Sequence, residues 1–222
     1  MMDLQEVLRD IKTQFRLAMN GVTSKSMRDK GMDYKLNFGV EVPRLKEIAA
    51  KYEKNHQLAQ ALWKENVRES KILAGMLQPV NTFYPEIADI WIEDMHYPEI
   101  AELTCRNLFS YLPYASEKAF EWIADEREYF MACGYLVLAH LFMKGQYLNE
   151  RSENEYLDQV VVALQDEGGF VKRSAYASLI KYVQQGREQS CKALKALESM
   201  KNSDDESQRC FYEEILLETE LL

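Results

Sequence analysis

A chain of 222 residues with 47% hydrophobic and 28% charged positions carries enough apolar material for a sizeable core, which excludes extensive disorder. No Pro/Gly/Ser-rich linker divides it, so a single domain over residues 1–222 is expected. The formal net charge of −9 weakens a nucleic-acid role, because Lys and Arg contacts to phosphate supply most non-specific affinity, but an acidic total is compatible with a local basic face.

The N-terminal stretch alternates apolar and charged positions, lacking the apolar run and small-residue cleavage site of a signal peptide. No apolar run approaches the ~18 residues of a transmembrane helix, so no membrane association and a cytoplasmic location are expected. The four cysteines, Cys105, Cys133, Cys191 and Cys210, show no CxxC spacing and are expected to be reduced, mostly small core residues.

Leu4, Val7, Leu8, Ile11, Phe15, Leu17 and Met19 recur at helical spacing and predict a first helix with one buried stripe, closed by Asn20-Gly21 and followed by a polar, basic stretch over 23–30. Pro43 predicts the start of a second helix, ended by Asn55-His56. Helices are then expected over 58–64, 67–77, 84–95, 98–112, 116–124 and 128–143. Four more are expected over 154–167, 170–185, 189–200 and 206–221, with Gly168-Gly169, Gly186 and Asn202-Ser203 between them. With only 9 glycines and 5 prolines, and with Ala, Leu, Glu, Lys and Gln filling the segments, the class is all-α. Short helices pairing every ~35–40 residues point to a HEAT-like repeat solenoid of antiparallel helix pairs, an α-α superhelix that binds something in its concave face. A closed bundle, which wants fewer and longer helices, ranks second.

Three stretches carry a resemblance. The first is Asn37-Phe38-Gly39-Val40-Glu41-Val42-Pro43-Arg44-Leu45-Lys46-Glu47-Ile48-Ala49; the second is Leu62-Trp63 with Arg68-Glu69-Ser70-Lys71-Ile72-Leu73-Ala74; the third is Phe170-Val171-Lys172-Arg173-Ser174-Ala175. In order and separation they resemble the DNA alkylation repair family, HEAT-like glycosylases that remove cationic alkylated purines. Read physically, most of these positions are structural: Phe38, Val40, Val42, Leu45 and Ile48 can staple a loop to a helix, and Gly39 permits a turn closed to other residues.

The resemblance implies alkylated duplex DNA held in a basic concave groove and no cofactor or metal. It also implies a site built from two tryptophans, an aspartate and an arginine. A carboxylate near the sugar would stabilise a developing oxocarbenium, aromatic faces would hold the cationic base, and the arginine would hold a phosphate. Matched to this sequence, the first tryptophan becomes Pro98 and the aspartate becomes Glu102, which otherwise reads as a solvated helix residue beside Glu93, Asp94 and Glu99. The arginine falls near Ala132 or Cys133, and the second tryptophan falls on Ala177. Tyr97 and Tyr176 are the candidates to supply the lost aromatic faces.

Cations gather in two clusters. Arg44 and Lys46 belong to the N-terminal cluster with Arg16, Lys25, Arg28, Lys30 and Lys35. Lys172, Arg173 and Lys181 belong to the C-terminal cluster with Arg187, Lys192 and Lys195, ahead of an acidic tail. They read either as DNA contacts or as ordinary solvated faces. His56, His96 and His140 have no metal-ligand spacing, and phosphate-loop and nucleophile-elbow motifs are absent. Two functions follow: DNA binding, with base excision through Glu102 in doubt, or a non-catalytic HEAT-like scaffold for a protein partner.

Overall fold

The computed structural model describes residues 3–165 and 169–221, and all of its regular structure is helical. The contacts divide the chain into two compact units, Met1–Pro113 and Tyr114–Leu222. Unit 1 holds α1 (Leu4–Leu17), α2 (Gly21–Asp29), α3 (Val42–Ala49), α4 (His56–Trp63), α5 (Arg68–Leu77), α6 (Pro85–Glu93) and α7 (Pro98–Asn107). Unit 2 holds α8 (Ala115–Ile123), α9 (Glu128–Met143), α10 (Glu150–Gln165), α11 (Gly169–Val183), α12 (Arg187–Ala196) and α13 (Glu206–Glu220). No described helix is long and apolar enough to cross a membrane.

Prolines and side-chain caps set most helix starts. Pro85 and Pro98 open α6 and α7, and Pro43 sits in the first turn of α3, where a missing N–H costs no hydrogen bond. Two asparagines overturn the sequence reading. Asn20 does not close α1; its side chain accepts the Thr23 amide at 3.1 Å and opens α2, so the basic stretch over 23–30 is largely helical. Asn55 likewise accepts the Leu58 amide at 2.9 Å and opens α4, so α3 stops at Ala49. The helix expected from 154 begins at Glu150, with Asn149 accepting the Ser152 amide; its expected end at Glu167, and Gly168, lie outside the described residues.

The centre of unit 1 is α5, which packs against α3, α4 and α7 and is buried along nearly its whole length, charges included. Arg68 is 2% exposed and Glu69 is fully buried. Arg68 donates through Nε and Nη2 to both carboxylate oxygens of Glu99, at 2.7 and 2.6 Å, and through Nη1 to the Val40 carbonyl at 2.9 Å and to Glu69 at 3.1 Å. Glu69 in turn accepts the backbone amides of Phe38 and Val40, both at 3.2 Å. Burial works against the guanidinium charge, but Glu99 and Glu69 outweigh it and hold Arg68 above its usual pKa.

That cluster pins the 37–40 segment, and the segment positions α2. Gly39 has φ +67°, and a Cβ there would lie 2.6 Å from the Ser24 nitrogen, so only glycine allows so close an approach. One turn along α5, Lys71 donates to the Trp63 carbonyl at 3.1 Å and pairs with Asp94. The Trp63 ring stacks on Trp91 with centroids 3.9 Å apart.

Unit 2 is organised around α9, buried on most sides and packed by α8 and α11. Gly134 lets α8 cross closely: a Cβ at that position would sit 2.6 Å from the Ala119 carbonyl oxygen. Glu153, nearly buried, accepts Tyr182 Oη at 2.8 Å and Lys192 Nζ at 2.6 Å. All four cysteines are free thiols, but only Cys105 and Cys133 are core residues; Cys191 and Cys210 are exposed, being on the outward sides of α12 and α13.

Removing one member of a buried charge cluster leaves the others unpaired, at a cost of ~3–5 kcal/mol. Arg68→Ala and Glu69→Ala should each lower the urea midpoint accordingly, whereas Arg44→Ala, which breaks a surface pair with Glu47, should change stability by about 0–1 kcal/mol.

Candidate nucleic-acid interface

The two carboxylates that open α7 have separate fates. Glu99 is held by both arms of Arg68 and is part of the unit 1 framework. Glu102, one turn on, is exposed, while Ile100, Ala101, Leu103 and Thr104 face inward. Tyr97, at the N-cap of α7, has its ring 4.7 Å from that of Tyr34, and its hydroxyl accepts the Asp33 amide at 2.6 Å. One face of Tyr97 is therefore already occupied.

The outward half of α11 gathers the C-terminal cations. Its core stripe is Phe170, Val171, Ser174, Ala175, Ser178, Leu179, Tyr182 and Val183, which leaves Lys172, Arg173, Tyr176, Ala177, Ile180 and Lys181 on the other side. Lys172 and Lys181 are nine residues apart and mark the two edges of this stripe, about 180° from each other at 3.6 residues per turn. Arg173 lies between them, with its guanidinium 5.4 Å from the Phe170 ring centroid.

Tyr176 is engaged by α13. Its ring centroid is 5.0 Å from that of Phe211 and its hydroxyl donates to Glu214; burial first, then Glu214, pushes its pKa up. Lys192, counted with this cluster in the sequence, is tied to Glu153 and to Glu188 at 2.6 and 2.7 Å. Arg44 and Lys46 are exposed on α3 around the buried Leu45, with Arg44 paired to Glu47. The structure thus joins Lys172, Arg173 and Lys181 on one helix of unit 2, and Arg44 with Lys46 on one helix of unit 1.

The remaining positions that the resemblance singles out carry no matching chemistry. Ala132, Cys133 and Gly134 are buried in α9, with Gly134 at the α8 crossing. The arginine in that neighbourhood is Arg127, at the N-cap, which donates to both oxygens of Asp125 at 2.9 and 2.7 Å and lies 3.5 Å from the Phe130 ring centroid. Its hydrogen bonds hold Asp125 down at about 2. Ala177 is exposed and Pro98 is the first residue of α7. Trp91 and Trp122 are core residues. Among the described residues, no group of three His, Cys, Asp or Glu side chains could hold a metal ion.

Sequence reasoning missed the Arg68–Glu69–Glu99 cluster. Its signal was present: at 100° per residue Glu69 falls between Ile72 and Leu73 on the apolar face of α5, where a solvated charge is not expected.

The architecture is the all-α, HEAT-like repeat fold. Solved structures with a similar fold include the following two. One, described as "a new family of proteins related to the HEAT-like repeat DNA glycosylases with affinity for branched DNA structures", matches with a TM-score of 0.79 at 18% identity, covering 97% of this chain and 95% of that one. The other, Cex1p, matches with a TM-score of 0.50 at 11% identity, covering 98% of this chain and 44% of that one. No curated protein matches. The sequence model of the DNA alkylation repair enzyme family covers residues 11–214, and the chain belongs to that family.

Two substitutions separate a lost clamp from a lost aromatic. Cys133→Arg should destabilise unit 2 by more than ~3 kcal/mol, because it buries an unpaired charge, whereas Ala177→Trp should stay within ~0.5 kcal/mol at its exposed position. Thermal unfolding of the two variants checks both.

Proposed function

We propose that this chain binds branched DNA through phosphate contacts and does not excise bases. The observation that carries the reading is the outward half of α11, where Lys172, Arg173 and Lys181 stand on a helix with no acidic residue from 169 to 185, in a chain that holds 36 of them. Such a face can neutralise backbone phosphates whatever the base sequence, and its strength depends on counterion release. The affinity of the structurally similar protein for branched DNA supports branched DNA as the form bound.

Binding and excision separate because they need different groups. Phosphate contacts need accessible cations, which unit 2 has in Arg173 and the half-buried Lys172 and Lys181, and unit 1 in Lys46, Arg44 being paired to Glu47. Excision of a cationic purine needs a carboxylate at the sugar, aromatic faces at the base and a cation at the phosphate, acting together. Glu102 keeps the carboxylate, but Pro98, Cys133 and Ala177 supply neither ring nor charge, and Tyr176 is committed to α13.

Fluorescence anisotropy against a four-way junction should give an affinity that falls steeply with salt, at a slope of about −0.9 per phosphate neutralised. Lys172→Glu with Arg173→Glu should weaken binding by about tenfold or more and flatten that slope by about 2. An affinity indifferent to salt and to both changes would favour a protein partner instead. Release of 7-methylguanine from alkylated duplex should stay at the spontaneous rate, and an acceleration abolished by Glu102→Gln would overturn the non-excising half of the proposal.

A further inference from the structure

The corner between α1 and α2 exposes three large apolar side chains within six residues: Leu17 at 78%, Met19 at 61% and Val22 at 83%. No other large apolar side chain described in unit 1 is more exposed than Leu17 and Val22. Leu17 and Met19, expected on the buried stripe of the first helix, lie outside it: α1 buries Leu8, Ile11 and Phe15, and α2 buries only Ser24.

The corner is nevertheless held firmly by polar contacts. The Asn20 amide donates to the Phe38 carbonyl at 2.9 Å, Ser24 Oγ donates to the Asn37 carbonyl at 2.6 Å, and Arg28 donates to Ser24 Oγ at 2.9 Å. The 37–40 segment that receives these bonds is latched in turn by Glu69. An apolar tip on a rigid mount loses little freedom when it meets a partner.

Two exposed cations flank it. Arg16 and Lys25 are exposed on either side, and Arg44 lines, with Met19 and Gly21, a hollow of about 470 Å³ beside the corner. The opposing charges are Glu41 in that hollow, Glu47 on Arg44, and Asp29 at the far end of α2. Three side chains present on the order of a few hundred Å² of apolar surface, short of the ~800 Å² per partner that a stable dimer buries.

Resting on the reading that this chain binds branched DNA, we propose that the α1–α2 corner is its branch-point reader. Leu17, Met19 and Val22 abut the unstacked bases of a junction, while Arg16 and Lys25 hold the flanking phosphates. Apolar side chains used as wedges in continuous duplex must unstack a base step at a cost of a few kcal/mol, whereas at a branch point the stack is already broken. The corner therefore discriminates branched from linear DNA, a distinction that phosphate contacts alone make poorly.

The test uses the full chain and a variant carrying Leu17→Ser, Met19→Ser and Val22→Ser, with a four-way junction bearing 2-aminopurine at the branch and a linear duplex of matched length. The wild-type chain should change the 2-aminopurine fluorescence and prefer the junction. The variant should lose that fluorescence change and about tenfold of the preference, with linear-duplex affinity altered less than about twofold. Its urea midpoint should match that of the wild type, because all three side chains are exposed.

An unchanged junction preference in the variant overturns this inference while leaving DNA binding intact. Failure of the wild-type chain to bind either DNA overturns the functional reading itself, and this inference with it. A wild-type dimer in sedimentation that the variant converts to monomer assigns the corner to self-association and also overturns it.

Discussion

Arg68 and Glu69 enter the interior of unit 1 as adjacent opposite charges, and what surrounds them follows from the need to satisfy both. A buried guanidinium and a buried carboxylate each lose several kcal/mol of hydration, which only good geometry and further hydrogen bonds can offset. Here the partners come from three places: Glu99 at the start of α7, the Val40 carbonyl, and the amides of Phe38 and Val40. The cluster thereby sets the register of α7 against α5 and fixes the 37–40 segment. Through Gly39 and Ser24 it also fixes the seat of α2. Apolar residues in place of the charges could make α5 equally buried, but they would not hold a non-helical segment by its backbone.

Two of the family-like stretches make sense in this light as one device. Phe38 and Val40 belong to the first and Arg68 and Glu69 to the second, and they are hydrogen-bonded to one another across about thirty residues of chain. Sequence alone marks both stretches but not their contact, because a charge at the start of an apolar helix reads equally well as a solvated residue.

Other features divide along the same line. The bounds of α9 and the prolines of α6 and α7 are readable locally, since a long apolar run and a residue with no N–H leave few alternatives. Asn20 and Asn55 are not: an asparagine at a boundary can end one helix or cap the next, and only the amide it meets decides. The cations of α11 are legible as an outward stripe, because a helix places them geometrically. The engagement of Tyr176 by Glu214, from a helix more than thirty residues later, leaves no local trace.

An acidic chain that presents a basic helix faces an electrostatic conflict, and unit 2 shows it locally. The carboxylates of α13 come close to α11: Glu214 accepts from Tyr176 and Glu218 accepts from Gln184, neutral donors that leave both charges in place. At physiological ionic strength charges more than about 8 Å apart are largely screened, so the sign felt by a phosphate is that of the nearest side chains. Net charge therefore reports poorly on what α11 can bind. Direct pairing makes Lys192 a poor DNA ligand although it sits in the same basic run, since Glu153 and Glu188 are within hydrogen-bonding distance and neutralise it in place. Which cations act is decided by their ion pairs, and that counts for more than the number of basic residues along the chain.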